Sequence, residues 1–188
     1  MPAPTKSVAH RLLVRPTPVE RRAALPGDGL VAADVVMDRA FTLAAPRVHV
    51  WPWLVQLGKD RAGWYLPRSV ERVVPRSRRA LRHIDPALQR LGIGDVIPDW
   101  GGADATFTVA EIEPESHLLF TSTRGRMHLT WCIRVTAVTA SGTGGTRVHL
   151  RLRLGPVRHR WLAHNLGGLV DLATIAGLAA GLQERVSA

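Results

Sequence analysis

Met127-His128-Leu129-Thr130-Trp131-Cys132-Ile133-Arg134-Val135 alternates apolar and polar residues without a slip. Met127, Leu129, Trp131, Ile133 and Val135 hold the odd positions, and His128, Thr130, Cys132 and Arg134 the even ones. Successive side chains of a strand point to opposite faces, so this strand has one dry and one wet side. The alternation returns over residues 147–154. There Val148, Leu150, Leu152 and Leu154 oppose Arg147, His149, Arg151 and Arg153. Ser141-Gly142-Thr143-Gly144-Gly145 lies between the two runs and supplies the turn of a long β-hairpin. No helix follows these glycines, so they do not read as a phosphate-binding loop.

Working outward, residues 95–98, 106–113 and 117–123 read as further strands, with Pro114 stopping the second. Residues 35–43 form a first strand with Val35, Met37, Phe41 and Leu43 on one face, and Arg39 falls in register with them. Pro46 then suits the first turn of a helix. This helix carries Val50, Trp51, Leu54 and Val55, is interrupted by Pro52 and closes at Gly58. Trp51 and Trp53 cannot both face inward on it. Residues 59–93 are irregular, punctuated by Pro67, Pro75 and Pro86, and basic through Arg76, Arg78, Arg79, Arg82 and Arg90. Asp85 is placed to cap a short helix beginning at Pro86.

Residues 161–186 read as one apolar helix. Residues 161–182 contain no Lys or Arg and are long enough to span a bilayer. His164, Asn165 and Asp171 argue against a span, because a central charge is costly there. The expectation is no transmembrane span but a long helix laid across a curved sheet. The order of elements gives an α+β fold, an antiparallel sheet with its helices on one side and a cavity between them.

The chain has 188 residues, enough for one domain with an appendage. Its 46% hydrophobic and 21% charged residues exclude wholesale disorder. Residues 1–33 read as a loose basic N-terminal arm, because Pro2, Pro4, Pro16, Pro18 and Pro26 block a long helix there. Residues 34–188 read as a single domain. The formal charge is +10, and all basic residues except Lys6 and Lys59 are arginine. The lone Cys132 excludes an intramolecular disulfide and a cysteine-based zinc site, and suits a reducing, cytoplasmic compartment. No apolar run follows the basic N-terminus, so no secretory signal is expected.

The run Ala45-Pro46-Arg47-Val48-His49-Val50-Trp51-Pro52-Trp53-Leu54-Val55-Gln56-Leu57-Gly58 resembles the first helix of bacterial SRPBCC proteins, members of the START-like helix-grip superfamily. Arg61-Ala62-Gly63-Trp64-Tyr65, Asp85-Pro86-Ala87-Leu88-Gln89 and Gly92-Ile93-Gly94-Asp95-Val96-Ile97-Pro98 are similar to that group too. The likeness spans residues 35–154, with the final helix matching by type. It implies a curved antiparallel sheet wrapped around a long C-terminal helix. The superfamily includes lipid carriers and polyketide cyclase/dehydrase-type proteins, so fold alone fixes no activity. The resembling blocks are structural, and they carry no catalytic residue onto this chain.

The residues themselves offer little catalytic chemistry. No nucleophile elbow, Walker loop or dinucleotide fingerprint is present. None of the eight histidines pairs with another at three- or four-residue spacing, and no metal or cofactor is expected. The stripe Arg147, His149, Arg151, Arg153 reads as a solvated outer face or, less simply, as a surface for nucleic acid or anionic lipid. Few aromatics on that face and no recognition helix weigh against nucleic acid.

The principal expectation is therefore a binder of a hydrophobic small molecule or lipid. Its walls would be Phe107, Phe120, Leu129, Trp131, Leu150 and Leu152, with Ile175 and Leu178 from the helix. Arg39, Gln56, Tyr65 and Asp171 would supply polar handles. A cyclase-like enzyme on the same fold is the alternative, and Arg39, Tyr65 and Asp171 are its candidate acid–base groups. The oligomeric state is not legible.

Overall fold

The computed structural model describes residues 13–138, 144–159, 161 and 163–187. The tip of the expected hairpin turn, residues 139–143, lies outside them. Six strands make one antiparallel sheet: β1 (Val35–Leu43), β2 (Val96–Pro98), β3 (Thr106–Glu113), β4 (His117–Arg124), β5 (Met127–Val138) and β6 (Gly145–Gly155). Their spatial order is β1-β6-β5-β4-β3-β2, so the first strand pairs with the last and the rest form a meander. A bulge in β3 between Val109 and Glu111 bends that strand.

The helices are α1 (Pro18–Arg22), α2 (Arg47–Gln56), α3 (Arg68–Glu71) and α4 (Gly168–Val186). A π-helical turn over Ala163–Gly167 leads into α4. Asp85 caps a 3-10 turn over Pro86–Gln89, its carboxylate accepting from the Ala87 amide at 2.9 Å. α2 buries Val50, Trp53, Leu54, Val55 and Gln56, so Trp53 faces the core rather than Trp51. It ends before Gly58, with Leu57 as its C-cap residue.

Register aligns the dry sides of the strands. Met37 on β1 opposes Leu152 on β6, which opposes Trp131 on β5, which opposes Phe120 on β4. This row lies on the inner, concave face. α4 crosses that face and buries Ile175, Leu178, Ala179 and Leu182 against it. The result is a curved antiparallel sheet gripping a long C-terminal helix. The stretch Asn165–Val186 is long and apolar enough, by length and composition only, to cross a membrane. Its second half is the part buried in the sheet's grip.

The outer face departs from the wet side that alternation predicts. Thr130, Cys132, His149 and Arg151 are all buried. Residues 13–33 cover Cys132 and Arg151, so the described part of the arm is docked rather than loose. Arg151 explains the docking. Its guanidinium donates to the carbonyls of Glu20, Arg21 and Ala23, and pairs with Asp28 at 2.8 Å and Asp38 at 2.9 Å. Arg147 pairs with Glu20 at 2.7 Å. Leu25 is buried with Leu119 and Cys132. The stripe is thus the arm's anchor, a row of buried and half-buried basic side chains met by carboxylates and carbonyls, rather than an open face for nucleic acid or lipid.

Candidate functional site

Only the second half of α4 seats fully on the sheet. Between its first half and the concave face lies a cavity of about 710 Å³, within the usual range for small-molecule sites. Leu129 and Trp131 of β5, Phe107 of β3, Leu152 of β6 and Met37 of β1 form the sheet wall. Trp64, Trp100 and Asp99 reach in from connecting segments, and Arg124 from the end of β4. Leu166, Gly167, Val170, Asp171, Thr174 and Ile175 form the helical wall.

Aromatic rings dominate the sheet side. Trp131 stacks on Phe120 with ring centroids 5.6 Å apart and on Trp64 at 6.2 Å. Trp64 meets Trp100 edge-on at 5.9 Å, and its indole N–H donates to the Thr174 carbonyl at 3.3 Å. That last bond ties the aromatic wall to α4. Such edge and offset contacts fix ring orientation beyond what area burial does.

Polar groups enter at two points. At one, Arg124 forms a close ion pair with Asp99 and lies 5.3 Å above the Phe107 ring. At the other, Arg39 Nε and Asp171 Oδ2 approach to 2.8 Å, while Arg39 Nη2 donates to the Gly168 carbonyl at 2.8 Å. The Nε–Oδ2 contact is poorly aligned, and neither atom has a hydrogen-bond partner among the described residues. Burial pushes the Asp171 carboxyl above the ordinary carboxylate range, and Arg39 only partly offsets it. Asp171 thus stands in the cavity wall as a partly buried carboxyl held by an ion pair rather than by aligned hydrogen bonds.

Of the residues expected at the site, Phe107, Leu129, Trp131, Leu152, Asp171 and Ile175 line the cavity. Arg39 sits behind Asp171 and borders a neighbouring surface groove with Val36 and Leu169. Phe120 backs the Trp131 ring without lining the main cavity. Leu150 and Leu178 are core residues.

The other two expected handles are structural. Gln56 is fully buried. Its amide donates to the His83 carbonyl at 3.1 Å and accepts from the Asp85 amide at 3.0 Å and from Gln89 at 3.2 Å. It therefore clamps α2 to the 3-10 turn. Tyr65 is also fully buried, its hydroxyl donating to the Trp53 carbonyl at 2.9 Å and its ring covered by Arg185 at 4.6 Å. Burial raises its phenol above the ordinary range, and the group lies away from the cavity wall.

Sequence reasoning missed Met37, Trp64, Asp99, Trp100 and Arg124 as lining residues, and Leu166, Gly167, Val170 and Thr174 at the start of the final helix. Met37 was legible, since it shares the inward register of β1. Trp64, Asp99, Trp100 and Arg124 come from loops and a strand end, which carry no period, and the helical four lie where an all-round apolar helix does not mark its inward face. Among the described residues no group of three or more His, Cys, Asp or Glu side chains is placed to hold a metal ion.

No family model matches the chain, and no curated protein does either. Solved structures do match. A Rhodobacter sphaeroides protein aligns over 80% of this chain and 92% of its own length, with a TM-score of 0.50 at 12% identity. The fold is a helix-grip. CalU16 from Micromonospora echinospora aligns over 81% of this chain and 83% of its own, with a TM-score of 0.44 at 15% identity. DynU16, from the dynemicin biosynthetic locus, covers 81% of this chain and 47% of its own, with a TM-score of 0.48 at 15% identity. At such identities the likeness is one of fold. The helix-grip fixes where a cavity forms, and the side chains above fix what it can hold.

Proposed function

We propose that this protein binds a hydrophobic small molecule or lipid in the cavity between the sheet and the first half of α4. One observation carries the reading: an aromatic-walled space of about 710 Å³ remains where a filled core would otherwise close. Residues 34–188 are the binding unit in this reading, and residues 13–33 brace its outer face. The protein acts as a cytoplasmic carrier or sensor and needs no cofactor. Burying roughly 300 Å² of apolar ligand surface at about 25 cal/mol per Å² supplies about 7 kcal/mol before ordering costs. Micromolar or weaker affinity is therefore the expected range.

The unaligned Asp171 and Arg39 atoms favour a ligand with one hydroxyl or carbonyl at that end. They also support a second reading, a cyclase-like enzyme in which the Asp171 carboxyl moves a proton. The test is native mass spectrometry with organic extraction, alongside titration with the neutral fluorophore N-phenyl-1-naphthylamine. Thr174→Trp, which fills the space from an exposed position on the cavity wall, should abolish probe binding and leave the melting temperature within a few degrees. Undiminished probe binding by Thr174→Trp would place the probe elsewhere and sink the reading. Turnover of an extracted ligand that Asp171→Asn abolishes, without loss of binding, would favour the enzyme.

A further inference from the structure

The cavity opens through a surface that is itself apolar. Trp161 is 75% exposed, Leu169 66%, Val170 64%, Leu166 55% and, across the opening, Trp100 53%. Leu166 and Val170 belong to the cavity wall, so patch and mouth are continuous. Exposed clusters of large apolar residues of this kind mark interaction sites.

The charge around the mouth says what covers it. Met127 and Val157 pack into one cluster with Met37, and Met37 lies within contact distance of Gly167 at the start of the helical wall. The neighbours of that cluster, Arg126 at the β4–β5 turn and Arg158 after β6, are exposed, as is His159. Asp99 and Asp171, the acids in the wall, are each held by an arginine. Asp104, on the loop after Trp100, is an exposed acid on that loop, so the rim is not purely cationic. A second copy docking about a two-fold axis would bring this cationic rim near itself, which costs energy. A nucleic acid would leave the aliphatic Leu166, Leu169 and Val170 between Trp161 and Trp100 without a partner, since bases stack on rings and not on branched aliphatic side chains. A bilayer bearing anionic headgroups satisfies both halves: acyl chains take Leu166, Leu169 and Val170, headgroups take the arginines, and the indole of Trp161 sits at the boundary.

We infer that the mouth of the cavity docks on an anionic membrane surface and that the ligand enters from the lipid phase. The inference rests on the cavity reading and names the source of its ligand.

Flotation with vesicles of phosphatidylcholine, and of phosphatidylcholine with 30% phosphatidylglycerol, tests it on the full chain. The protein should float with the anionic vesicles at least tenfold more than with the neutral ones. Leu169→Glu, at an exposed position outside the cavity wall, should cut flotation tenfold or more while probe binding in vesicle-free solution persists. Arg126→Glu with Arg158→Glu should remove the preference for anionic vesicles. Circular dichroism checks that each variant is folded. Flotation that is absent, or unaffected by Leu169→Glu, overturns the inference. So does a concentration-dependent dimer that Leu169→Glu dissociates, because a second copy then covers the face. Probe binding without flotation removes docking and leaves the cavity reading standing. Flotation without probe binding removes the cavity reading and with it entry of the ligand from the lipid.

Discussion

Glu20 shows how one side chain ties the arm to the sheet. Its carboxylate accepts from the Thr17 amide at 2.6 Å, closing a capping box on α1, and from Arg147 Nε at 2.7 Å. Burial acts to raise its pKa, but Arg147 and the Thr17 amide outweigh burial and hold it at about 2, against an ordinary 4.5. The folded state thus favours the ionised form. The stabilisation is fully present above pH 4.5 and is lost as pH falls toward 2. Glu20→Gln should therefore melt below the wild type at pH 6, with the gap closing between pH 4.5 and 2. Thermal melts across that window read it directly, and a gap constant with pH would show that Glu20 contributes by packing alone. Asp38 works in the same direction beneath the arm: burial raises its carboxyl, while His149 and Arg151 bring it below the ordinary range.

At the scale of elements, α4 has two halves with different duties, and small residues decide where it seats. A Cβ on Gly181 would lie 2.6 Å from the backbone C and O of Tyr65, so helix and connecting segment touch main chain to main chain. Gly181→Ala should push them apart and cost about 1–3 kcal/mol, as overpacking does. Gly177 is the control. Its Cβ would meet only the end of the Leu66 side chain, at 2.8 Å, and helix propensity returns up to about 1 kcal/mol for Gly→Ala. Gly177→Ala should therefore be near neutral in denaturant titration, and equal losses at both positions would refute the distinction. Arg185 fixes the same end by donating to the carbonyls of Leu66, Leu81 and Gly181 and pairing with Glu71 at 2.8 Å.

The long hairpin and the apolar final helix were legible because strand and helix periods survive in their residues. Arg39 and Asp171 were legible as polar residues that need a partner or water, since each is a charge set in an otherwise apolar face, but neither pattern decided that they meet. Tyr65 and Gln56 were not, because a lone polar residue in an irregular segment looks the same whether it faces a ligand or a carbonyl. Arg124 and Asp99 were hidden for a related reason. Their pairing depends on where the end of β4 falls against a loop, which no local pattern encodes.

For the molecule as a whole, the outer face decides whether residues 13–33 belong to the fold. Alternation along β5 and β6 predicts that this face is wet, yet Cys132, His149 and Arg151 lie there buried. A pattern of polar residues reports that partners are needed, and the arm supplies them in place of water. Removing residues 1–33 would strip Arg151 of three carbonyl acceptors and Asp28, and would uncover Leu119 and Cys132. The truncated chain should therefore lose stability and self-associate at concentrations where the full chain stays dispersed. Cys132 offers a direct readout. In the full chain burial, with Asp28 adding to it, pushes the thiol up to about 12, so reaction with a disulfide reagent at pH 8 should be slow. Truncation should speed it tenfold or more, because it removes both the cover and the Asp28 charge. Were labelling equally slow in both chains, the arm would be a passenger and the sheet would be closed by its own side chains. The cavity lies on the opposite face, so binding of the neutral probe should survive truncation for as long as the chain stays folded.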